Sequence, residues 1–186
     1  QGYIPVKSFK TILADRSGSM CSFSGKQYDM AEHLLKDAKK QAVETNQSAY
    51  VTFVTFDDKV NTLLDNADLL CVEVPLRPDI EDALLPRHTT RFNDTLIEQV
   101  DALIQKKDAY LNSLTRAARR LNPDVAMVLI AITDGQDNES KHSVAETREK
   151  MIQFRKNGGR AILMAANMDA EEVGGWYGFN PEKSIT

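Results

Sequence analysis

Apolar positions along the chain switch between a strand-like and a helix-like spacing. Phe9-Lys10-Thr11-Ile12-Leu13-Ala14 is an apolar-rich run of strand length. Tyr28, Ala31, Leu34, Leu35, Ala38, Ala42 and Val43 then recur every three or four residues, which predicts a first helix of roughly four to five turns with one buried face. Ala49–Phe56 (AYVTFVTF) is rich in β-branched and aromatic residues and predicts a second strand. Asp57-Asp58 turns the chain into a third, Lys59–Leu64, and a connection that short cannot make a parallel crossover, so an antiparallel edge strand is expected. Pro75, Pro78 and Pro86 break up the next stretch and leave DIEDALL for one or two helical turns. Phe92, Leu96, Ile97, Val100, Leu103 and Ile104 return to helical spacing, with Asn93 or Asp94 available as a cap. A second helical run carries Tyr110, Leu111, Leu114, Ala117, Ala118 and Leu121 and stops at Asn122-Pro123.

Val125–Ile132 (VAMVLIAI) is unbroken in its apolarity, as a strand covered on both faces by helices requires, and belongs in the middle of the sheet. From Ser140 to Lys156, Val144, Thr147, Met151 and Phe154 share one helical face, and Asn157-Gly158-Gly159 stops that helix. Ala161–Ala166 is the last clear strand, with a short helix at most beyond it. Strands alternating with helices predict an α/β fold, a Rossmann-like three-layer sandwich with a mostly parallel sheet, one antiparallel edge strand and helices on both faces. At 186 residues the chain fits one domain, 1–186, with its core from about 8 to 170. A hydrophobic fraction of 42% against 27% charged argues against disorder, and a net charge of −4 gives no reason to expect nucleic acid as a partner. No run is long enough for a membrane span, and no signal-peptide pattern opens the chain, where Gln1-Gly2 reads as processing or a tag remnant. Cys21 and Cys71 have neither disulfide-framework nor zinc spacing, so a reducing, cytoplasmic setting is expected.

The chemistry gathers at two strand ends. The first strand runs into Asp15-Arg16-Ser17-Gly18-Ser19-Met20, a carboxylate and two hydroxyls at alternate positions, and Val125–Ile132 runs into Thr133-Asp134-Gly135-Gln136-Asp137-Asn138. In an open parallel sheet the loops at the carboxyl ends of the strands meet along one edge. Asp15 and Asp134 therefore approach each other if their strands are neighbours, and two carboxylates so placed call for a proton or a cation between them. Asp15, Ser17, Ser19 and Asp134 offer only hard oxygens, which favours Mg²⁺, with Mn²⁺ or Ca²⁺ as alternatives. Gly18 is expected to let the turn bend so that both flanking hydroxyls aim at one point. Asp, Ser and Gly after a strand are also ordinary turn and helix-cap residues, so this segment alone does not decide between the two.

Asp15-Arg16-Ser17-Gly18-Ser19 resembles the Asp-x-Ser-x-Ser motif of von Willebrand factor A (vWA) domains, whose metal-ion-dependent adhesion site (MIDAS) adds a threonine and a later aspartate. Thr89–Leu96 (TTRFNDTL) resembles the threonine loop, aligning Thr90, and ITDGQDN resembles the aspartate loop, aligning Asp134. The chain departs from the pattern at His88-Thr89-Thr90-Arg91, where many members carry glycine before the threonine and a small residue after it, so Thr89 stands as a rival to Thr90. The family's closing helix after the last strand would have to be short here, or trimmed. The resemblance implies that Ser17, Ser19 and Thr90 touch the metal directly, with Asp15 and Asp134 acting directly or through water. Three neutral hydroxyls and two carboxylates around a divalent ion bring the local charge near zero, leaving room for a Glu or Asp from a partner protein. The absence of a cysteine framework and of a signal resembles the intracellular, bacterial or phage branch, whose members commonly partner AAA+ ATPases or stress-response complexes.

Enzymatic readings compete with binding. The runner-up is a metal-dependent hydrolase or phosphotransfer enzyme using the same cation site. A haloacid-dehalogenase-type phosphatase needs a second acid two residues after its aspartate, where this chain has Ser17. A Ser/His/Asp hydrolase would have to be assembled from Ser17 or Ser19 with His142 and Asp134, without a Gly-x-Ser-x-Gly elbow. Ser24-Gly25-Lys26 invites a phosphate-loop reading, but Met20 and Gln27 stand where that motif needs Gly and Ser or Thr. Arg87, His88 and Arg91 flank the threonine loop as solvated charge that could also steer an acidic partner. Trp176, Tyr177 and Phe179 are expected to pack against the sheet edge.

Overall fold

The structure, a computed structural model, describes residues 7–135, 137–165 and 170–180. Five strands, β1 (Lys7–Asp15), β2 (Ala49–Phe56), β3 (Val60–Asp68), β4 (Val125–Ile132) and β5 (Gly159–Met164), form one sheet in the order β3-β2-β1-β4-β5. All neighbours are parallel except β2 and β3. The helices are α1 (Lys26–Thr45), α2 (Arg77–Ala83), α3 (Phe92–Ser113), α4 (Arg116–Arg120), α5 (Val144–Lys156) and α6 (Ala170–Tyr177). A short 3₁₀ helix, Gly18–Phe23, joins β1 to α1.

Strand alternation divides the core into two. Ile12 and Ala14 of β1 join Val51, Phe53 and Ile132 under α1 and α2, against Ala31, Leu35, Ile80 and Leu84. Phe9 and Leu13 face the other way, onto Phe92, Leu96 and Val100 of α3, Met151 and Phe154 of α5, and Tyr177 of α6. Because β1 is paired on both sides and covered on both faces, its side chains from Thr11 to Asp15 are all buried. The expected architecture is thus present, with β1 at the centre and β4 beside it.

Several boundaries differ from the sequence reading. The third strand runs on to Asp68, because irregular pairing with β2 and a left-handed Asn66, whose N–H donates to Thr52 Oγ1, let it continue past Leu64. The two helical runs expected between Phe92 and Leu121 divide later than their apolar spacing suggests. Tyr110 and Leu111 belong to α3, the backbone becomes extended at Leu114, and Thr115 caps the short α4 by accepting from Ala118 N. Neither Asn93 nor Asp94 is the cap of α3; both lie within its first turn. Helix α5 begins at Val144 rather than Ser140, because Ser143 and Glu146 form a reciprocal capping box, and Val144 is 40% exposed rather than on the buried face. Tyr177 and Phe179 are buried as expected, whereas Trp176 is exposed. Ala166 and the residues on either side of α6, 167–169 and 181–186, lie outside the described residues.

Gly158 takes the left-handed conformation that ends α5. Gly159 opens β5 for a different reason: a Cβ there would lie 2.5 Å from the fully buried Phe154 ring. Gly159→Ala is therefore expected to cost about 1–3 kcal/mol through overpacking. Urea denaturation checks this, and an unchanged midpoint would show that the ring is free to move.

Candidate metal centre

Register brings the two aspartate loops together. Ala14 pairs with Ile132, so Asp15 and Thr133 leave the sheet side by side, at the point where the connection from β1 goes to one side and β4 lies on the other. Ligand crevices form at such switch points. Asp15 is fully buried; its Oδ1 accepts from Ser17 N at 2.8 Å and its Oδ2 from Thr133 Oγ1 at 2.7 Å. Thr133 Oγ1 in turn accepts from Gly135 N at 3.1 Å. Burial pushes the Asp15 carboxyl up to about 6; the Ser17 and Thr133 hydrogen bonds pull the other way, and the Asp134 charge adds to the rise.

Ser17 is buried and Ser19 half-buried, with their hydroxyls 3.1 Å apart. Ser17 stands at the N-cap of the 3₁₀ helix, yet its side chain makes no cap hydrogen bond. The capping explanation for this serine therefore fails. Gly18 has an ordinary backbone conformation, and a Cβ there would meet His88 O at an unstrained 3.5 Å, so the turn does not need a glycine. Gly18 N instead donates to His88 O at 2.9 Å and Arg87 N to Arg16 O at 2.7 Å, which ties the serine loop to the threonine loop.

In the threonine loop the structure separates the two rivals, with Thr89 exposed and Thr90 buried. Thr90 Oγ1 has no hydrogen-bond partner among the described residues, and the N-cap of α3 is Arg91, so Thr90 is not a helix cap either. Its backbone is held by the aspartate loop: Thr90 N donates to Asn138 Oδ1 at 2.8 Å, and Thr90 O accepts from Asn138 N and Glu139 N. Asp134 is buried in that loop beside Asp15. Asp15, Ser17, Ser19, Thr90 and Asp134 thus sit on three mutually hydrogen-bonded loops. Among the described residues no three His, Cys, Asp or Glu side chains cluster as a metal site, so a cation here would depend on the hydroxyls. The buried Thr90 hydroxyl and the paired serine hydroxyls, beside a buried carboxylate, fit a hard divalent ion.

Residues that the sequence reading passed over hold the loops in place. Asp137 accepts from Asn93 N at 2.7 Å and from Ser140 N at 3.0 Å, while Ser140 Oγ accepts from Asp94 N at 3.0 Å. The aspartate loop thereby caps α3 from across the fold. Asp94 returns the arrangement by accepting from Lys141 N, His142 N and His142 Nδ1; burial pushes its carboxyl up, but these bonds together hold it below the usual range. Tyr177 Oη donates to Gly135 O at 3.3 Å and ties α6 to the same loop. Arg16, buried in the serine loop between Asp15 and Ser17, has its guanidinium 3.4 Å from the carboxylate of the buried Asp57. The density of Asp, Asn and Ser after Asp134 was the available signal for the loop contacts; nothing local to Arg16 announces its distant partner.

No family model matches the sequence, and no curated protein matches it. Solved structures do match. Proximal thread matrix protein 1 from the mussel byssus, in a structure with a zinc-occupied MIDAS motif, aligns at TM-score 0.56 and 19% identity over 98% of this chain and 41% of that one. The pilus adhesin SpaC from Lactobacillus rhamnosus GG aligns at TM-score 0.58 and 15% identity, covering 100% of this chain and 28% of that one. A von Willebrand factor type A structure from Catenulispora acidiphila aligns at 0.53 and 18% identity, over 92% and 36%. The chain therefore has the vWA fold, and it spans less than half the length of each of these proteins.

The raised Asp15 pKa has a signed consequence for the metal-free protein. The fold holds the Asp15 proton more tightly than the unfolded chain does, so this contribution is fully present below about pH 4 and is lost as pH rises through about 6, by about 3 kcal/mol in all. In chelator, Asp15→Asn is expected to gain stability relative to wild type across that window. Urea midpoints measured from pH 4 to about 7 check this, and a difference that does not change with pH would contradict it.

Proposed function

We propose that the three loops form a metal-ion-dependent adhesion site, with Ser17, Ser19 and Thr90 as hydroxyl ligands of a divalent cation and Asp15 and Asp134 acting directly or through water. The observation that carries this reading is that Ser17 and Thr90 are buried at helix starts without capping them, so their hydroxyls lack the structural task that usually explains such residues. Mg²⁺ is the preferred ion because every donor is a hard oxygen; the zinc-occupied motif of the mussel protein supports a divalent site in general. When bound, the ion would supply a Lewis-acidic position for the carboxylate of a Glu or Asp on a partner protein.

The chain's own residues favour binding over catalysis. Two carboxylates and three neutral hydroxyls leave a divalent site near neutrality, so an incoming carboxylate is not repelled. The exposed Arg87 and His88 on the threonine loop add attraction for an acidic partner. Ser17 stands where a phosphatase needs its second acid, and among the described residues neither Ser17 nor Ser19 has a hydrogen bond to a histidine, the Ser17 and Ser19 hydroxyls facing each other instead. The function that follows is metal-bridged protein docking, with an AAA+ ATPase or a stress-response complex as the partner class that the family resemblance suggests. No helix among the described residues is long and apolar enough to cross a membrane.

Mg²⁺ is expected to raise the melting temperature of wild type relative to EDTA, by several degrees at saturating ion, and to leave the Ser17→Ala, Ser19→Ala double variant unchanged. Thermal melts of both proteins test the site, and no shift in wild type would count against it. A partner captured from the native cell should elute with chelator; a complex that survives both EDTA and the double substitution would refute metal-bridged docking.

A further inference from the structure

The end of the sheet away from Asp15 carries a second polar site. Strand alternation puts Lys10 on the same face of β1 as Ile12 and Ala14, beneath α1, with Val51 of β2 as its neighbour. Ile12 and Ala14 are sealed by the helix, but opposite Lys10 the helix presents Ala38 and Ala42, whose side chains are too short to fill the space. The result is a cavity of about 360 Å³ between the C-terminal half of α1 and the starts of β1 and β2. Its floor is apolar, formed by Ala38, Ala42, Ala49 and Val51, and Lys10 and Gln41 are among its polar lining.

A half-buried ammonium on the central strand of a covered sheet is costly unless something compensates it. Among the described residues Lys10 makes no hydrogen bond or ion pair, and burial pushes its amine below the usual lysine range, with the Asp37 charge acting in the other direction. Asp37 lies on α1 and accepts a hydrogen bond from Gln41 Nε2 at 3.3 Å. The cation therefore faces a cavity of small-molecule size with its charge incompletely answered by the protein.

We propose that this cavity binds a small organic monocarboxylate, its head on the Lys10 ammonium and its short apolar body against Ala38, Ala42, Ala49 and Val51. A single cation matches a single negative charge. Asp37 disfavours a dianion such as a phosphate monoester, and no arginine among the described lining residues offers the fork that phosphate recognition uses. The apolar floor selects an organic acid over an inorganic ion, because only a ligand with a hydrocarbon body removes that surface from water.

The test is a titration of the ¹⁵N-labelled chain with straight-chain carboxylates from butanoate to octanoate, followed by amide chemical shifts, with the matching alcohols as controls. At least one acid is expected to give saturable shifts confined to the amides around Lys10, Ala38 and Ala49. The matching alcohol, and the acid with Lys10→Met, should bind about ten-fold more weakly or less, since a charge-assisted hydrogen bond is lost in each case. Methionine keeps the unbranched stem, and the alcohol arm isolates the charge even if that variant fails to fold. The proposal is overturned if no acid gives saturable shifts by about 10 mM, if alcohol and acid bind equally, or if Lys10→Met binds the acid as well as wild type does.

Discussion

The buried hydrogen bond from Thr133 to Asp15 is the contact on which the site depends. It spans 118 positions in sequence, joins the ends of β1 and β4 across the topological switch, and sits where the sheet is covered on both faces. An ionised carboxylate in such a place is expensive, and its raised pKa expresses that expense. The surrounding loops respond with donors: a backbone N–H from Ser17 on one oxygen and the Thr133 hydroxyl on the other. These bonds reduce the cost without removing it, and a bound cation would complete the compensation.

From that anchor the rest of the site is assembled by loop-to-loop bonding. Backbone bonds from Gly18 and Arg87 bind the serine and threonine loops, Asn138 clasps Thr90 on both its N–H and its carbonyl, and Asp137 and Ser140 cap α3 in place of a local residue. Helix α3 thus starts where the aspartate loop allows it to start. Backbone hydrogen bonds position both Ser17 and Thr90; among the described residues the Ser17 hydroxyl meets only its neighbours Ser19 and Asp15, and Thr90 Oγ1 has no hydrogen-bond partner. Pre-positioned donors of this kind lower the ordering cost of binding.

Much of this was legible in the sequence because the periodicities were clean. Ala49–Phe56 and Val125–Ile132 are strands over the residues their apolar content indicated, and the short turn of Asp57, Asp58 and Lys59 makes β3 antiparallel, as loop closure requires. The serine and aspartate loops were visible because hard-oxygen residue types recur at the ends of β1 and β4, whereas Thr90 was found only through the resemblance to the vWA pattern. What stayed hidden was non-local. The choice between Thr89 and Thr90 is one of burial, Asp137 and Ser140 act on a helix that begins more than 40 residues earlier, and the α3–α4 break lies inside an apolar spacing that continues through it. Lys10 was visible as a charged residue in an apolar run, but its importance depends on the alanines facing it from α1. Gly18, which the sequence suggested was needed for the turn, has no conformational need to be glycine.

The central claim is that the Thr90 hydroxyl is kept for a cation rather than for the fold, and calorimetric titration of Mg²⁺ into wild type and Thr90→Val tests it most directly. Valine preserves the shape and removes only a buried oxygen that has no hydrogen-bond partner among the described residues, so metal-free stability should be unchanged or slightly raised. The same substitution should weaken Mg²⁺ binding by about ten-fold or more. Equal affinity in the two proteins, with both folded, would contradict the account.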